Sequence, residues 1–223
     1  MTIAVISGDL VRSRAMSDAE LSNAISTIKR TIADYSAHHH FARGDGFQIR
    51  LTNVADALPC ALAIKLALIA QRHNKQGSDC RLAIGIGEER MVRADNATNS
   101  GAAYERSGLG LDRLKGNQLE LFGESGLTGR QAQLLQITTL LVRWLSLQVN
   151  DLTPKQAQVL QLWLANPSIE QSKIAQQLGI DQSNVSRHLN RCNANLIWQT
   201  IEQVTRTITD DLTATAVVKP PAG

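Results

Sequence analysis

The segment KIAQQLGIDQSNVSRHL, residues 173–189, restricts the possible fold more than any other part of the chain. Ile174, Ala175 and Leu178 recur at helical spacing, and Gly179 then offers the left-handed conformation that stops a helix within one residue. Ser168 and Gln171 read as a capping box that starts this helix. Ile180 plugs the corner, and Asp181 stands where it caps a second helix whose Val185 and Leu189 face inward at i and i+4. Two short helices packed at so tight a turn leave one surface free. It carries Gln182, Ser183 and Asn184 at the start of the second helix, with Ser186, Arg187 and Asn190 along its outer side. Asn and Gln match the adenine edge, Arg matches guanine, and Ser can hold a phosphate. A plain helical hairpin used for protein contacts needs the same packing and is the alternative.

Composition bounds the rest. With 223 residues, 43% of them hydrophobic, the chain can bury a core of ordinary size and carry a small additional module. Residues 1–150 hold 17 Lys and Arg against 14 Asp and Glu, and residues 151–209 hold 5 against 4. Neither part is a basic blanket, which argues against non-specific coating of nucleic acid. Cys60, Cys80 and Cys192 lack the paired spacing of a zinc site or a disulfide framework, as expected in a reducing cytosol. The start, MTIAVISGDL, has neither a basic flank nor a small-residue cleavage site, and ALAIKLALIA is too short to span a bilayer. A cytoplasmic protein with no membrane partner is expected.

Along the chain, TIAVIS reads as a buried strand. A capping box at Ser17 and Glu20 opens a helix running to about Ala37, and HHHF, ARGDG and FQIRL form a hairpin turning at 43–46. A helix from Val54 to His73 and the strand CRLAIGIGEE follow; the glycines of that strand sit where side chains would crowd a neighbour. The order strand, helix, strand, strand, helix, strand is the ferredoxin-like βαββαβ unit. After it come a polar loop at 95–100, a helix near 102–114 and the strand QLELFG. The predicted class is therefore α+β, a ferredoxin-like palm followed by an all-α helix-turn-helix domain. The divisions are 1–123, a connector or dimerisation helix at 124–150, the helix-turn-helix domain at 151–209 and a loose tail at 210–223. The connector has a wide apolar face of Leu134, Leu135, Leu141, Trp144 and Leu145, and Thr153, Pro154 and Gln156 start the next helix. Ile197, Ile201, Val204 and Ile208 make a later helical stripe that either pairs two subunits or packs back on its own module.

IAQQLGIDQSNVSRHL resembles the helix-turn-helix of response-regulator output domains and of sigma-factor region four, at Ile174, Ala175, Leu178, Gly179, Ile180, Val185 and Leu189. The resemblance spans about residues 152–192 and implies double-stranded DNA as a partner. Nothing after Leu189 suggests the β-hairpin of a winged variant.

Asp9 ends the first strand and Asp45 lies in the hairpin turn, so a ferredoxin-like sheet brings both carboxylates to one side. Two such groups can bind Mg²⁺ or Mn²⁺, with the phosphates of a nucleotide completing the shell. Arg12, Arg14 and Arg43 flank them as candidate phosphate ligands. GDLVRSR, RGDGF and LAIGIGEE resemble the palm of class III nucleotide cyclases and of GGDEF-type cyclases, which implies metal at Asp9 and Asp45 and a homodimer. Residues 1–122 also look like the SatD family. The sequence departs from the cyclase pattern at three points: Phe41 stands where a purine-reading lysine is implied, Glu105 where an asparagine is, and Gly46 where GGDEF has an acid. Arg106 or Arg113 only approximates the transition-state arginine, and no catalytic residue is assigned. HHH at 38–40 does not chelate one ion as a set, because adjacent strand residues point to opposite faces.

Two functional readings result. In one, a transcription regulator senses a nucleotide or related phosphate ligand through its palm. In the alternative, a Mg²⁺-dependent nucleotidyl cyclase or polymerase is regulated by its C-terminal helices. An interaction protein on an inactive scaffold is a third.

Overall fold

The computed structural model describes residues 1–35, 37–41, 45–72, 77–90 and 100–213. β1 (Thr2–Leu10) is the central strand of a five-stranded sheet ordered β2-β3-β1-β4-β5, with β2 at Ala37–Phe41, β3 at Gly46–Leu51, β4 at Cys80–Glu88 and β5 at Leu119–Phe122. β1 pairs antiparallel with β3 and β4, and β5 joins β4 in parallel. With α1 (Asp18–Ile32) and α2 (Ala57–Ala70) this is the expected βαββαβ arrangement, extended by α3 (Ala102–Arg113) and β5. The near-continuous apolar run of β1 follows from its place, since a central strand covered on both faces has no wet side.

The pleat sends alternate residues to opposite faces. Ala4, Ile6 and Leu10 of β1 join Leu82, Ile84 and Ile86 of β4 in the main core beneath α1 and α2. Ile3 and Val5 pack instead against Ala103 of α3. Ser7 and Asp9 share that second face by register, and Ser7 donates its hydroxyl to Ser107 of α3 at 2.9 Å. Gly85 lets α3 sit this close, because a Cβ there would lie 2.3 Å from the Ala103 carbonyl oxygen. The sequence expectation of crowded glycines in β4 is met at this position.

α1 begins with the predicted capping box of Ser17 and Glu20 but ends at Ile32, short of Ala37. Tyr35 and Ala37 donate backbone hydrogen bonds to Ile32 and Tyr35, turning the chain so that β2 can lie beside β3. Register across that hairpin sets His38 opposite Arg50, His39 opposite Ile49 and His40 opposite Gln48. The polar loop expected at 95–100 falls, except for Ser100, outside the described residues.

α2 is buried on nearly every side, Lys65 included. The sheet covers one side and α1 another, while α5 (Pro154–Ala165), α8 (Ala194–Thr207) and the helix Gly129–Asn150 cover the rest. α5 opens with the Thr153 and Gln156 capping box and Pro154 in its first turn, as read from the sequence. Ile197, Ile201, Val204 and Ile208 belong to the same continuous core as β1 and α2, so the α8 stripe packs back on its own chain. The helical path continues through a π-helical turn at Ile208–Leu212, where the sequence reading began a loose tail. Gln131 of α4 (Gly129–Asn150) donates to the Asp211 carbonyl there at 3.3 Å. The remaining tail, 214–223, lies outside the described residues.

All three cysteines are buried free thiols, and burial pushes Cys60 and Cys80 up to about 12 and Cys192 to about 11. Among the described residues no helix is long and apolar enough to cross a membrane.

Candidate nucleic-acid interface and phosphate cleft

α6 (Gln171–Leu178) and α7 (Gln182–Arg191) form the bend expected from the sequence. Ile174 and Ala175 are buried in α6, and Val185 and Leu189 in α7. Gly179 adopts φ 61° and ψ 40°, and Ile180 closes the turn with a backbone hydrogen bond to Ala175 at 3.0 Å. A residue with a Cβ would be strained there by about 1 to 2 kcal/mol. Two capping details differ from expectation. Glu170, rather than Ser168, is the α6 cap, because Ser168 lies in a turn where its N–H donates to the Asn166 side chain at 3.1 Å. Asp181 does occupy the α7 cap, but its backbone carbonyl accepts from Asn184 and Val185 and its carboxylate makes no capping bond.

Gln182, Ser183, Arg187 and Asn190 are exposed, while Asn184 and Ser186 are half-buried. None is sealed against the body of the protein. His188, which the sequence reading passed over, sits half-buried on the same helix with its Nδ1 atom buried and without a hydrogen-bond partner among the described residues. Burial, and then the positive charges of Arg191, Lys155 and Arg187, lower its pKa below the ordinary 6.5. The folded state therefore binds this proton less readily than the unfolded chain does, so the contribution of His188 to stability is complete above the unfolded pKa. It is lost as pH falls through the lower folded value. We expect the loss of thermal stability on acidification below about pH 6.5 to be shallower in His188→Asn, as followed by melting temperature against pH. Equal slopes in both proteins would contradict this reading.

In the sheet domain, Asp9, Arg12, Ser13, Arg14, Asp45 and Arg81 line one open cleft of about 720 Å³. Register explains how it forms. Asp9 lies opposite Gly46 on β3 and opposite Arg81 on β4, so the hairpin delivers Asp45 beside the end of β1. The Leu10 N–H donates to the Asp45 carbonyl at 3.3 Å, and the Val11 N–H to the Asp79 carbonyl at 2.8 Å. Asp9 and Asp45 thus line the same cleft. Arg12 and Arg14 are exposed beside them, with Arg12 in the left-handed conformation at φ 60°. Arg43 lies outside the described residues.

The sequence reading missed Arg81. Its Nε donates to Asp9 Oδ1 at 2.6 Å and its Nη2 to Asp9 Oδ2 at 2.7 Å, a two-pronged pair. Its Nη1 donates to the Leu114 carbonyl at 2.8 Å. The hydrogen bonds with Asp9, followed by the charges of Asp9, Asp112 and Asp45, raise the guanidinium pKa further. Asp45 in turn accepts the Ser13 hydroxyl. This donor set does not fit a divalent cation without rearrangement, because both Asp9 oxygens already face a guanidinium. Among the described residues no three His, Cys, Asp or Glu side chains gather to hold a metal ion. Arg106, a candidate transition-state arginine, instead donates to the Ile86 carbonyl at 2.5 Å and is not among the residues lining this cleft.

Beneath the cleft lies a second feature that the sequence did not disclose. Lys65 Nζ, fully buried, donates to Asp79 Oδ1 at 3.0 Å and to the carbonyls of Cys80 at 2.9 Å and Asn117 at 2.6 Å. Arg72 pairs with the other Asp79 oxygen, which also accepts from Asn117 at 2.6 Å. Asp79 thereby ties α2, β4 and the loop before β5 to the end of β1.

Residues 152–195 match the family described as winged helix-turn-helix DNA-binding. In this chain α8 follows α7 directly, and no strand occurs among the described residues after β5. No curated protein matches the chain. Among solved structures, an adenylate/guanylate cyclase/hydrolase from Silicibacter pomeroyi is 21% identical, covering 54% of this chain and 75% of that one at a TM-score of 0.46. An adenylate cyclase from Trypanosoma brucei is 15% identical over 54% and 72% at 0.45. A guanylyl cyclase domain of a fusion protein from Blastocladiella emersonii is 11% identical over 54% and 78%, also at 0.45. The α+β assignment here rests on the strand order itself, a ferredoxin-like sheet domain followed by a helical helix-turn-helix domain.

Proposed function

We propose that this chain is a sequence-specific, DNA-binding transcription regulator whose cyclase-like N-terminal domain senses a nucleotide or related phosphate-bearing ligand. The observation that carries the reading is the exposed polar row at the start of α7, held rigidly by Val185, Leu189 and the Gly179 turn within a segment that matches a DNA-binding family. Arg12, Arg14 and Arg81 support the ligand part, since they surround the cleft with guanidinium groups. The resemblance of residues 1–122 to the SatD family belongs to the same proposal, as does a cytoplasmic location. Selecting bound fragments from a random duplex library and titrating salt tests it. The expected result is enrichment of one sequence, with log affinity falling linearly against log salt. Failure to enrich any sequence, or binding indifferent to salt, defeats it. The enzyme reading predicts cyclic or oligonucleotide products from ATP or GTP with Mn²⁺, lost in Asp45→Ala.

The same reading includes a homodimer. On α4, Ile137, Leu140 and Leu147 are exposed and Trp144 half-buried. Their spacing of three, four and three is that of a helix pairing with its own copy. Leu140→Glu is expected to convert a dimer to a monomer in sedimentation velocity while leaving the circular dichroism spectrum unchanged. A wild-type monomer at tens of micromolar would rule out this seam.

A further inference from the structure

We infer that Arg81 is the resident cation of the cleft, engaging with its guanidinium both oxygens of the Asp9 carboxylate that a divalent metal would need, so that the cleft takes a phosphate-bearing anion without metal. The inference deepens the ligand-sensing part of the proposed function and is independent of DNA binding.

Three observations carry it. Both Asp9 oxygens accept from Arg81, at 2.6 and 2.7 Å, in the two-pronged geometry that commits one lone pair of each oxygen to the guanidinium, so a cation chelated by both oxygens on that edge must displace Arg81. The pair is anchored on both sides: Asp9 and Arg81 are direct cross-strand partners, and Arg81 is held from α3 by the Leu114 carbonyl at 2.8 Å. The guanidinium therefore sits in place by register rather than by a chance rotamer. Finally, charge decides the ligand. Three guanidinium groups, of Arg12, Arg14 and Arg81, face two carboxylates, of Asp9 and Asp45, so the lining is net positive before anything binds. A metal-dependent site has the opposite balance, with excess carboxylate that repels phosphate until the ion arrives. Here the fork uses one hydrogen on each guanidinium nitrogen, and the second hydrogens on Nη1 and Nη2 stay available to an anion. Arg81 is also one-third exposed, which lets a ligand in the cleft reach it.

The test is Mn²⁺ binding to the full-length chain, followed by loss of the free-ion electron paramagnetic resonance signal with metal alone. Wild type is expected to take up no Mn²⁺ in the low millimolar range. Arg81→Gln frees both oxygens of Asp9 and is expected to gain a site about 100-fold tighter or more, the scale of one unit charge removed at contact distance in a partly screened site. That gain should vanish in Arg81→Gln combined with Asp9→Asn. Tripolyphosphate in excess EDTA supplies the second arm: its binding to wild type by calorimetry is expected, and it should weaken in Arg12→Ala with Arg14→Ala. Wild-type Mn²⁺ uptake that Asp9→Asn abolishes would overturn the inference. So would a folded Arg81→Gln that gains none, or tripolyphosphate binding that requires added Mg²⁺. If Arg81→Gln does not fold, the wild-type and Asp9→Asn measurements still decide. A lost DNA shift in the selection experiment, by contrast, defeats the regulator reading and leaves this result untouched.

Discussion

Asp79→Asn is expected to lower the melting temperature by about 6 to 20 °C. Breaking a buried ion pair from one side costs about 3 to 5 kcal/mol, and each kcal/mol shifts a chain of this size by about 2 to 4 °C. The reason is specific to this site: the change leaves two buried cations, Lys65 and Arg72, without their carboxylate, and Lys65 has no route to water. Lys65→Met should cost less, since Asp79 keeps Arg72, Asn117 and the Cys80 N–H, and although the carbonyls of Cys80 and Asn117 each lose one hydrogen bond, that of Asn117 keeps Asn150. The double variant is then expected to be more stable than the sum of the singles predicts, because groups in one network are not additive. Thermal unfolding of the three variants checks the order. A shift within one degree for Asp79→Asn would show that the network stabilises nothing. Because Asp79 also accepts the Val11 N–H through its backbone, loosening it is expected to disturb the cleft as well as the core.

The second large effect concerns DNA. Arg187→Ala is expected to weaken binding to the selected sequence by about 10- to 100-fold, the range for one lost two-pronged base contact, and to relax preference at a single position. Lys173→Ala, on the exposed side of α6, is expected to act differently. The first helix of such a pair crosses the phosphate backbone, so this change should weaken binding to all sequences alike and reduce the salt slope by about one. Competition binding with specific and scrambled duplexes at several salt concentrations separates the two patterns. If Arg187→Ala weakened specific and scrambled DNA equally, α7 would not be the reading element.

How much was legible beforehand varied with the range of the interaction. Ser17 with Glu20 and Thr153 with Gln156 were readable as caps because each pair closes its hydrogen bonds within four residues. The Gly179 turn was readable for the same reason, since a left-handed residue between two apolar repeats permits few chain paths. Ser168 misled because its spacing to Gln171 satisfies the cap pattern, while a local turn to Asn166 claims its N–H first. The direction of the α8 stripe was undecidable in sequence: Ile197 to Ile208 shows only that one face must be covered, and the cover turned out to be the chain's own core.

The site divides along the same line. Sequence alone determined the polar row on α7, because helical periodicity is a local property of the chain, whereas the placing of Asp9 and Asp45 in one cleft depended on the expected ferredoxin-like pairing of β1 with β3. Only the tertiary structure decided that Asp9 would be neutralised by Arg81, 72 positions away, and that Lys65 would be buried against Asp79 and Asn117. Those pairings depend on strand register and on which helix lies over which strand. A register slip of one residue would send Arg81 to the opposite face of the sheet. Periodicity states that a side chain points inward or outward, and the packed fold alone selects the charge it meets.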